Sequence, residues 1–328
     1  MTNKEKGILV KLRRKARSNS QKCYNPDCEN VAIRSHIQQK EGSIREIASG
    51  DGEVIQLENI YPYIKDNRRY DFKEKGIKQK GDVLTFWGFC NECDNKIFEE
   101  IESKNVDLSL NRNQLLFSYR GFLSELYKQE YNLKWYKLIF ESNELTNEIK
   151  QTFYHLNSGF DLATKFGRFN KQLFESDLIK GTNSFEFIHF ALPKIEICTS
   201  TSFSSASKIK FKKDLLERKS LPPIVSSNFI NLIPQKDKLN VILGCHSEKK
   251  LKGKFDLDKI SNYNEKEKIK LISDVLIRHV ETWFVSKNLY NKWKDQKKDV
   301  EILNQIHKYL PSHMKSKYVK FNMFQDHN

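Results

Sequence analysis

The stretch Thr85-Phe86-Trp87-Gly88-Phe89-Cys90-Asn91-Glu92-Cys93-Asp94-Asn95-Lys96-Ile97-Phe98 decides how this chain is read. Its first half is aromatic and β-branched, which favours a strand. It then passes through a C-x2-C pair into a run that places Ile97, Phe98 and Ile101 on one helical face. A second close pair, Cys23 and Cys28, stands upstream, with 61 residues between Cys28 and Cys90. Two short-spaced pairs let four thiolates converge on one tetrahedral ion, the coordination zinc prefers. Cys23, Cys28, Cys90 and Cys93 are therefore expected to hold a structural Zn2+, and the chain must return to itself to do so. For a small polar module such an ion supplies on the order of 10 kcal/mol of folding free energy. Cys198 and Cys245 have no close cysteine partner and fall in strand-like runs, so they read as core.

Moving outward, Val54–Leu57 and Val83–Phe89 read as strands, with a turn at Gly50-Asp51-Gly52 before the first. The charged stretch Lys65–Lys80 between them reads as an excursion or loop. Residues 110–180 read as helices, with Leu115, Tyr119, Phe122 and Leu126 on one stripe and Leu145, Ile149, Leu156, Phe160 and Ala163 on another. These stripes are core-type rather than base-stacking platforms. Phe185–Phe190, Ile195–Thr199, Asn228–Ile233 and Asn240–Gly244 read as strands, the last two joined as a hairpin. The Ser- and Lys-rich stretch Ser202–Pro223 reads as a long loop. Asn264-Glu265-Lys266-Glu267 has the form of a capping box opening a helix through Ile269, Ile272, Leu276, Val280 and Trp283, and a further helix is expected over Val300–Leu310.

The expected fold class is α+β: a basic N-terminal arm (1–22), a zinc-binding module (23–105) and a larger C-terminal domain of helices and a small antiparallel sheet (106–328). The formal net charge of +15 favours polyanionic partners. Eight of the first 22 residues are Lys or Arg against one acid, and Arg13, Arg14, Lys15 and Arg17 are the candidate phosphate contacts. Ile8, Leu9 and Leu12 give this arm one apolar helical face. The expected partner is nucleic acid, DNA ahead of RNA, with a protein partner through the C-terminal domain as a further expectation. No run of about 18 apolar residues is present and Met1–Lys22 lacks the form of a secretory signal, so no membrane partner is expected. Cysteines in metal-type spacing suit a reducing cytoplasm. A Walker loop, a G-x-S-x-G elbow, a G-x-G-x-x-G turn and an H-E-x-x-H helix are absent from the sequence.

The elements Cys23-x4-Cys28, Ser35-His36-Ile37 and Cys90-Asn91-Glu92-Cys93-Asp94-Asn95-Lys96 resemble the zinc-bearing HNH, or ββα-metal, nucleases over about the first 100 residues. The resemblance implies a treble-clef module in which a knuckle bearing Cys23 and Cys28 meets Cys90 and Cys93 at a strand-to-helix junction. It also implies that His36 is a general base and that Asp94 holds a catalytic Mg2+ or Mn2+, giving a metal-dependent endonuclease. The chain departs from that family in having Gln38 where Pro is common, no Asn near Thr85, and a long insertion before Cys90. The S-H-x-x-Q and F-x-G-F-C-x-x-[HC]-D elements also resemble a group of uncharacterised bacterial proteins, which implies a bacterial setting such as a phage-defence locus. Two alternatives keep the zinc without hydrolysis: a nucleic-acid-binding protein and a protein-interaction adaptor.

Overall fold

The apolar runs after residue 227 fold as β7 (Ser227–Gln235) and β8 (Lys238–His246), joined by the two-residue turn Lys236-Asp237. Both strands are buried along nearly their whole length, because helices cover both faces of the sheet they belong to. The computed structural model describes residues 1–18, 21–38, 40–59, 70–77, 84–103, 106–204, 227–248, 255–310 and 319–325. The helices are α1 (Asn3–Ser18), α2 (Arg45–Ile47), α3 (Asn91–Phe98), α4 (Asn111–Glu141), α5 (Asn147–Lys180), α6 (Leu257–Ser261), α7 (Glu265–His279), α8 (Lys287–Asp295) and α9 (Lys298–Tyr309). The remaining strands are β1 (Arg34–His36), β2 (Glu53–Asn59), β3 (Tyr70–Gly76), β4 (Thr85–Trp87), β5 (Phe185–Pro193), β6 (Ile197–Ser204) and β9 (Phe284–Val285).

Among the described residues seven strands form one antiparallel sheet in the order β3-β2-β9-β6-β7-β8-β5. Side chains alternate between its faces with the period of two that a pleated strand imposes. On β8, Leu239, Val241, Leu243 and Cys245 pack with Ile272, Leu276 and Ile302 of the C-terminal helices, while Ile242 turns to the layer of α4 and α5. The mixed helix-and-sheet class expected from the sequence is thus present as helix–sheet–helix layers. The β2–β3 hairpin joins the sheet through β9, with Ile55 opposite Val285, so the ladder runs across the boundary expected near residue 105.

Most expected elements are present, with particular differences. Tyr70–Gly76 lies in the charged stretch expected to be a loop, yet it is strand β3, because Tyr70 and Phe72 turn inward and the charges alternate with them. Helix α3 begins at Asn91, ahead of Cys93 rather than after it. The capping box at Asn264 and Glu267 is formed in both directions, but α7 ends at His279, so Val280 and Trp283 pack beyond it. Strand β6 runs to Ser204, and residues 205–223 of the expected loop lie outside the described residues, as does Val83. The N-terminal stretch is a docked helix rather than an arm: Ile8, Leu9 and Ala16 of α1 are buried against Tyr131, Trp135 and Ile139 of α4.

Helix α4 lies close on the sheet because Gly121 has no side chain. A Cβ there would stand 2.6 Å from Ser200 Oγ and 2.9 Å from the Ser200 carbonyl carbon. Gly159 of α5 meets open space instead. Gly121→Ala is therefore expected to lower unfolding free energy by about 1–3 kcal/mol through overpacking. Gly159→Ala is expected to raise it by about 0.5–1 kcal/mol through helix propensity. Urea denaturation of the two variants checks the opposite signs.

Candidate metal centre

The first cysteine pair is carried on a short knuckle. An isolated bridge between Lys22 and Val31 closes it, Cys23 N–H donates to the Asn30 carbonyl at 2.9 Å, and Cys28 N–H donates to that of Asn25 at 3.1 Å. The knuckle is fastened to the second pair by backbone: Tyr24 N–H donates to Gly88 O at 2.7 Å and Ile33 N–H to Phe89 O at 2.7 Å. Strand β1 pairs with β4, Arg34 opposite Trp87 and His36 opposite Thr85. The chain leaves β4 through Gly88 and Phe89 and enters α3 with Cys90 as its N-cap, the Cys90 Sγ accepting from Cys93 N–H at 3.5 Å.

The four sulfurs lie within 4.8 Å of one another and can hold one metal ion. Cys28 Sγ and Cys90 Sγ are 3.7 Å apart. Donors surround them: Cys90 N–H reaches Cys23 Sγ at 3.3 Å, and the Asn25 amide reaches Cys93 Sγ at 3.2 Å. Hydrogen bonding from the Cys93 N–H brings the Cys90 thiol down to about 7, whereas burial pushes Cys93 up to about 12 and raises Cys23. Cys198 and Cys245 lie fully buried in β6 and β8, away from this cluster.

His36 ends β1, half-buried, and Asp94 sits in the first turn of α3. Asp94 Oδ2 accepts from Arg120 Nη2 at 3.1 Å, and Arg120, only 3% exposed, also pairs with Glu102 and stacks over the Phe98 ring at 4.4 Å. The other oxygen, Asp94 Oδ1, is buried with no hydrogen-bond partner among the described residues. Among those residues, no group of three or more metal-ligating side chains includes His36 or Asp94. The structure thus brings the four cysteines together and gives Asp94 a guanidinium partner from α4.

Arg120 and Gln38 are the residues that sequence spacing did not single out as fastenings. Arg120 is a lone cation inside the apolar run Leu115–Leu126, a signal visible in sequence. Gln38 is fully buried; its amide donates to Thr199 O at 2.8 Å and Leu232 O at 3.1 Å, and its oxygen accepts from Cys198 Sγ at 2.7 Å. It thereby ties the segment after β1 to two neighbouring strands of the large sheet.

Of the four candidate phosphate contacts, Arg14, Lys15 and Arg17 are exposed. Arg13 is half-buried, donating to Tyr131 Oη at 2.6 Å, and Arg17 lies over the Tyr131 ring at 5.3 Å. No known family profile, curated protein or solved structure matches this chain.

Two outcomes are expected. Cys90→Ser should lower bound metal from one equivalent towards none and lower Tm, read by elemental analysis and thermal melting. Arg120→Leu should cost about 3–5 kcal/mol in urea denaturation, because it leaves a largely buried carboxylate without its cation.

Proposed function

We propose that this chain is a nucleic-acid-binding protein organised by a structural zinc ion. Cys23, Cys28, Cys90 and Cys93 hold the ion in a treble-clef-like module. A zinc ion at about 2.3 Å from each of four thiolates requires sulfur–sulfur edges of about 3.8 Å. The 3.7 Å separation between Cys28 and Cys90 supports that reading. Four thiolates fill the coordination sphere, so this zinc carries no reacting water and its role is to fix the knuckle against α3.

The observation that carries the binding reading is the orientation of α1. Its apolar side is buried against α4, which leaves Lys4, Lys6, Lys11, Arg14, Lys15 and Arg17 on the solvent side. Lys4, Lys11 and Arg14 follow i, i+7, i+10 spacing and share one stripe, about 15 Å long at 1.5 Å per residue. A rigid cationic stripe of that length spans successive phosphates of a strand and loses little entropy on binding. The zinc knuckle is held by the same part of α4: Tyr24 Oη donates to Glu130 Oε2 at 2.8 Å, and Lys134 Nζ donates to Gln21 Oε1 at 2.7 Å. The metal module therefore steadies the platform on which the basic helix rests.

A hydrolytic reading, in the manner of the HNH nucleases, adds His36 as base and Asp94 as ligand to Mg2+ or Mn2+. Its supporting observation is Asp94 Oδ1, which has an open acceptor site among the described residues. The ion pair between Asp94 and Arg120 favours the non-catalytic form, since a divalent ion at Asp94 would stand beside a buried guanidinium.

Labelled duplex DNA should shift in buffer without added divalent ions or chelator, with an affinity that falls steeply with salt. The triple variant Lys4→Ala/Lys11→Ala/Arg14→Ala should lower the logarithmic salt slope by about 2–3. Absent or salt-insensitive binding overturns the proposal. Cleavage that needs Mn2+ and is lost in His36→Ala, with binding retained, shifts the assignment to hydrolysis.

A further inference from the structure

The two edges of the large sheet are built in opposite ways. At one end lies β3. Ile77 N–H donates to Gly52 O at 2.8 Å, so the odd-numbered residues bond to β2 and the even-numbered ones face outward. Those outward donors are capped: Tyr70 N–H donates to His307 Nε2 at 3.0 Å and Phe72 N–H to Asp71 Oδ1 at 2.8 Å. Lys73, Glu74 and Lys75 complete a charged rim. This is how natural sheets prevent strand addition.

Strand β5 at the other end lacks these devices. Ser247 N–H donates to Ser184 O at 3.0 Å, in register with the β5–β8 ladder. In an antiparallel pair the bonded residues alternate. Glu186, Ile188, Phe190 and Leu192 thus bond inward to β8, and Phe185, Phe187, His189 and Ala191 turn their N–H and C=O groups outward. The β7–β8 turn gives the same parity independently: Gln235 and Lys238 flank it as a bonded pair, so the odd residues of β8 are those that face β5. Pro193 falls in the outward set, where a residue without an N–H is tolerated. Residues 187–190 are half-buried and Ala191 is exposed. Among the described residues no further strand pairs with this row; Lys268 lies over the ring of Phe190, one of the inward-bonding residues, at 5.1 Å.

We propose that β5 is a dimerisation edge that pairs antiparallel with β5 of a second copy of this chain. The row is self-complementary. A two-fold axis at Ile188 sets Phe185 against the second copy's Ala191, and Phe187 against its His189. Every outward donor then meets an outward carbonyl, and Pro193 stays outside the ladder. An axis one residue later, at His189, would set Pro193 against Phe185 and leave the Phe185 carbonyl without a donor, so the axis at Ile188 is selected. The pairing is isologous and closes at two, joining two seven-stranded sheets into one continuous sheet without leading to fibres. Across the axis Ile188 meets its own copy, flanked by Phe187 and Phe190, so apolar surface is removed from water on both faces.

The test uses the full chain freed of nucleic acid, in light scattering coupled to size exclusion over a wide concentration range. The expected mass is twice the chain's 38.8 kDa. His189→Pro removes a central outward donor without touching the β8 ladder, and Ala191→Lys places a charge on an exposed position of the row. Both should run as monomers with unchanged far-ultraviolet dichroism. Should His189→Pro misfold, Ala191→Lys decides alone. Ile188→Cys should cross-link to its own copy on mild oxidation, because the axial pair is non-hydrogen-bonded and its Cα atoms stand about 4.5 Å apart. A wild-type monomer at every concentration overturns the proposal. So does a dimer that persists in Ala191→Lys.

Discussion

The first half of α4 is buried on every side, and the rest of the molecule is arranged around that constraint. From Asn113 to Ser124 every residue of this helix is buried. A helix buried all round has no polar face, so each of its polar side chains needs a partner inside the protein. Asn113 and Gln114 donate to the carbonyls of Asp107 and Leu108, closing the turn before the helix. Ser118 accepts from Asn231 on β7, while Ser200 donates to the Phe117 carbonyl. Arg120 turns the other way, to Asp94 and Glu102 beside the metal centre. One helix thus joins the cysteine module to the sheet, and its polar residues fix which face meets which.

How much of this could be read from the sequence depends on the separation between partners. The cysteine pairs were legible because each pair is local and only a few ligand spacings suit a tetrahedral ion. The strands of the sheet core and the Asn264 capping box were legible for the same reason. Strand β3 was hidden because its inward residues, Tyr70 and Phe72, are embedded among charges that belong to an edge. The apolar face of α1 at Ile8, Leu9 and Leu12 was legible, but its seat on α4 was not, since Trp135 stands 126 residues from Leu9. The Arg120 partner of Asp94 stands 26 residues away, and the partners of Gln38 are 161 and 194 residues distant. Single side chains that reach across such distances leave no periodic trace.

The same separations explain why an ion is useful here. Bringing Cys28 to Cys90 closes a long loop, which costs on the order of a few kcal/mol in chain entropy. Inside that loop lie β1 to β4, and the β2–β3 hairpin must also reach β9 in the C-terminal half. A metal held by the four cysteines at the base of the loop would reduce the conformations open to the hairpin before it docks. Gln38, between β1 and the hairpin, then bonds to the carbonyls of Thr199 and Leu232, which are paired across β6 and β7. Metal centre and sheet are therefore fastened at two points along one segment.

The electrostatics of the proposed zinc-bound form give Asp94 a structural reason for its partner. Four thiolates and one Zn2+ carry a net charge of about −2. The N-terminal end of α3 and the donors around the sulfurs, Cys90 N–H, Cys93 N–H and the Asn25 amide, offset part of it. Asp94 adds a further negative charge one residue after Cys93, in the same helical turn. A carboxylate there favours the helix dipole but is repelled by the centre, and its partial burial removes the water that would screen this. Arg120 resolves the conflict: its guanidinium lies over the Phe98 ring and pairs with both Asp94 and Glu102. A lysine in its place would be a poorer choice, because a point ammonium neither stacks on the ring nor reaches Asp94 and Glu102 together with fixed geometry. The cation buried in α4 is thus matched to the charge the proposed zinc centre would carry, which would place the cysteine module and the long helix under one electrostatic constraint.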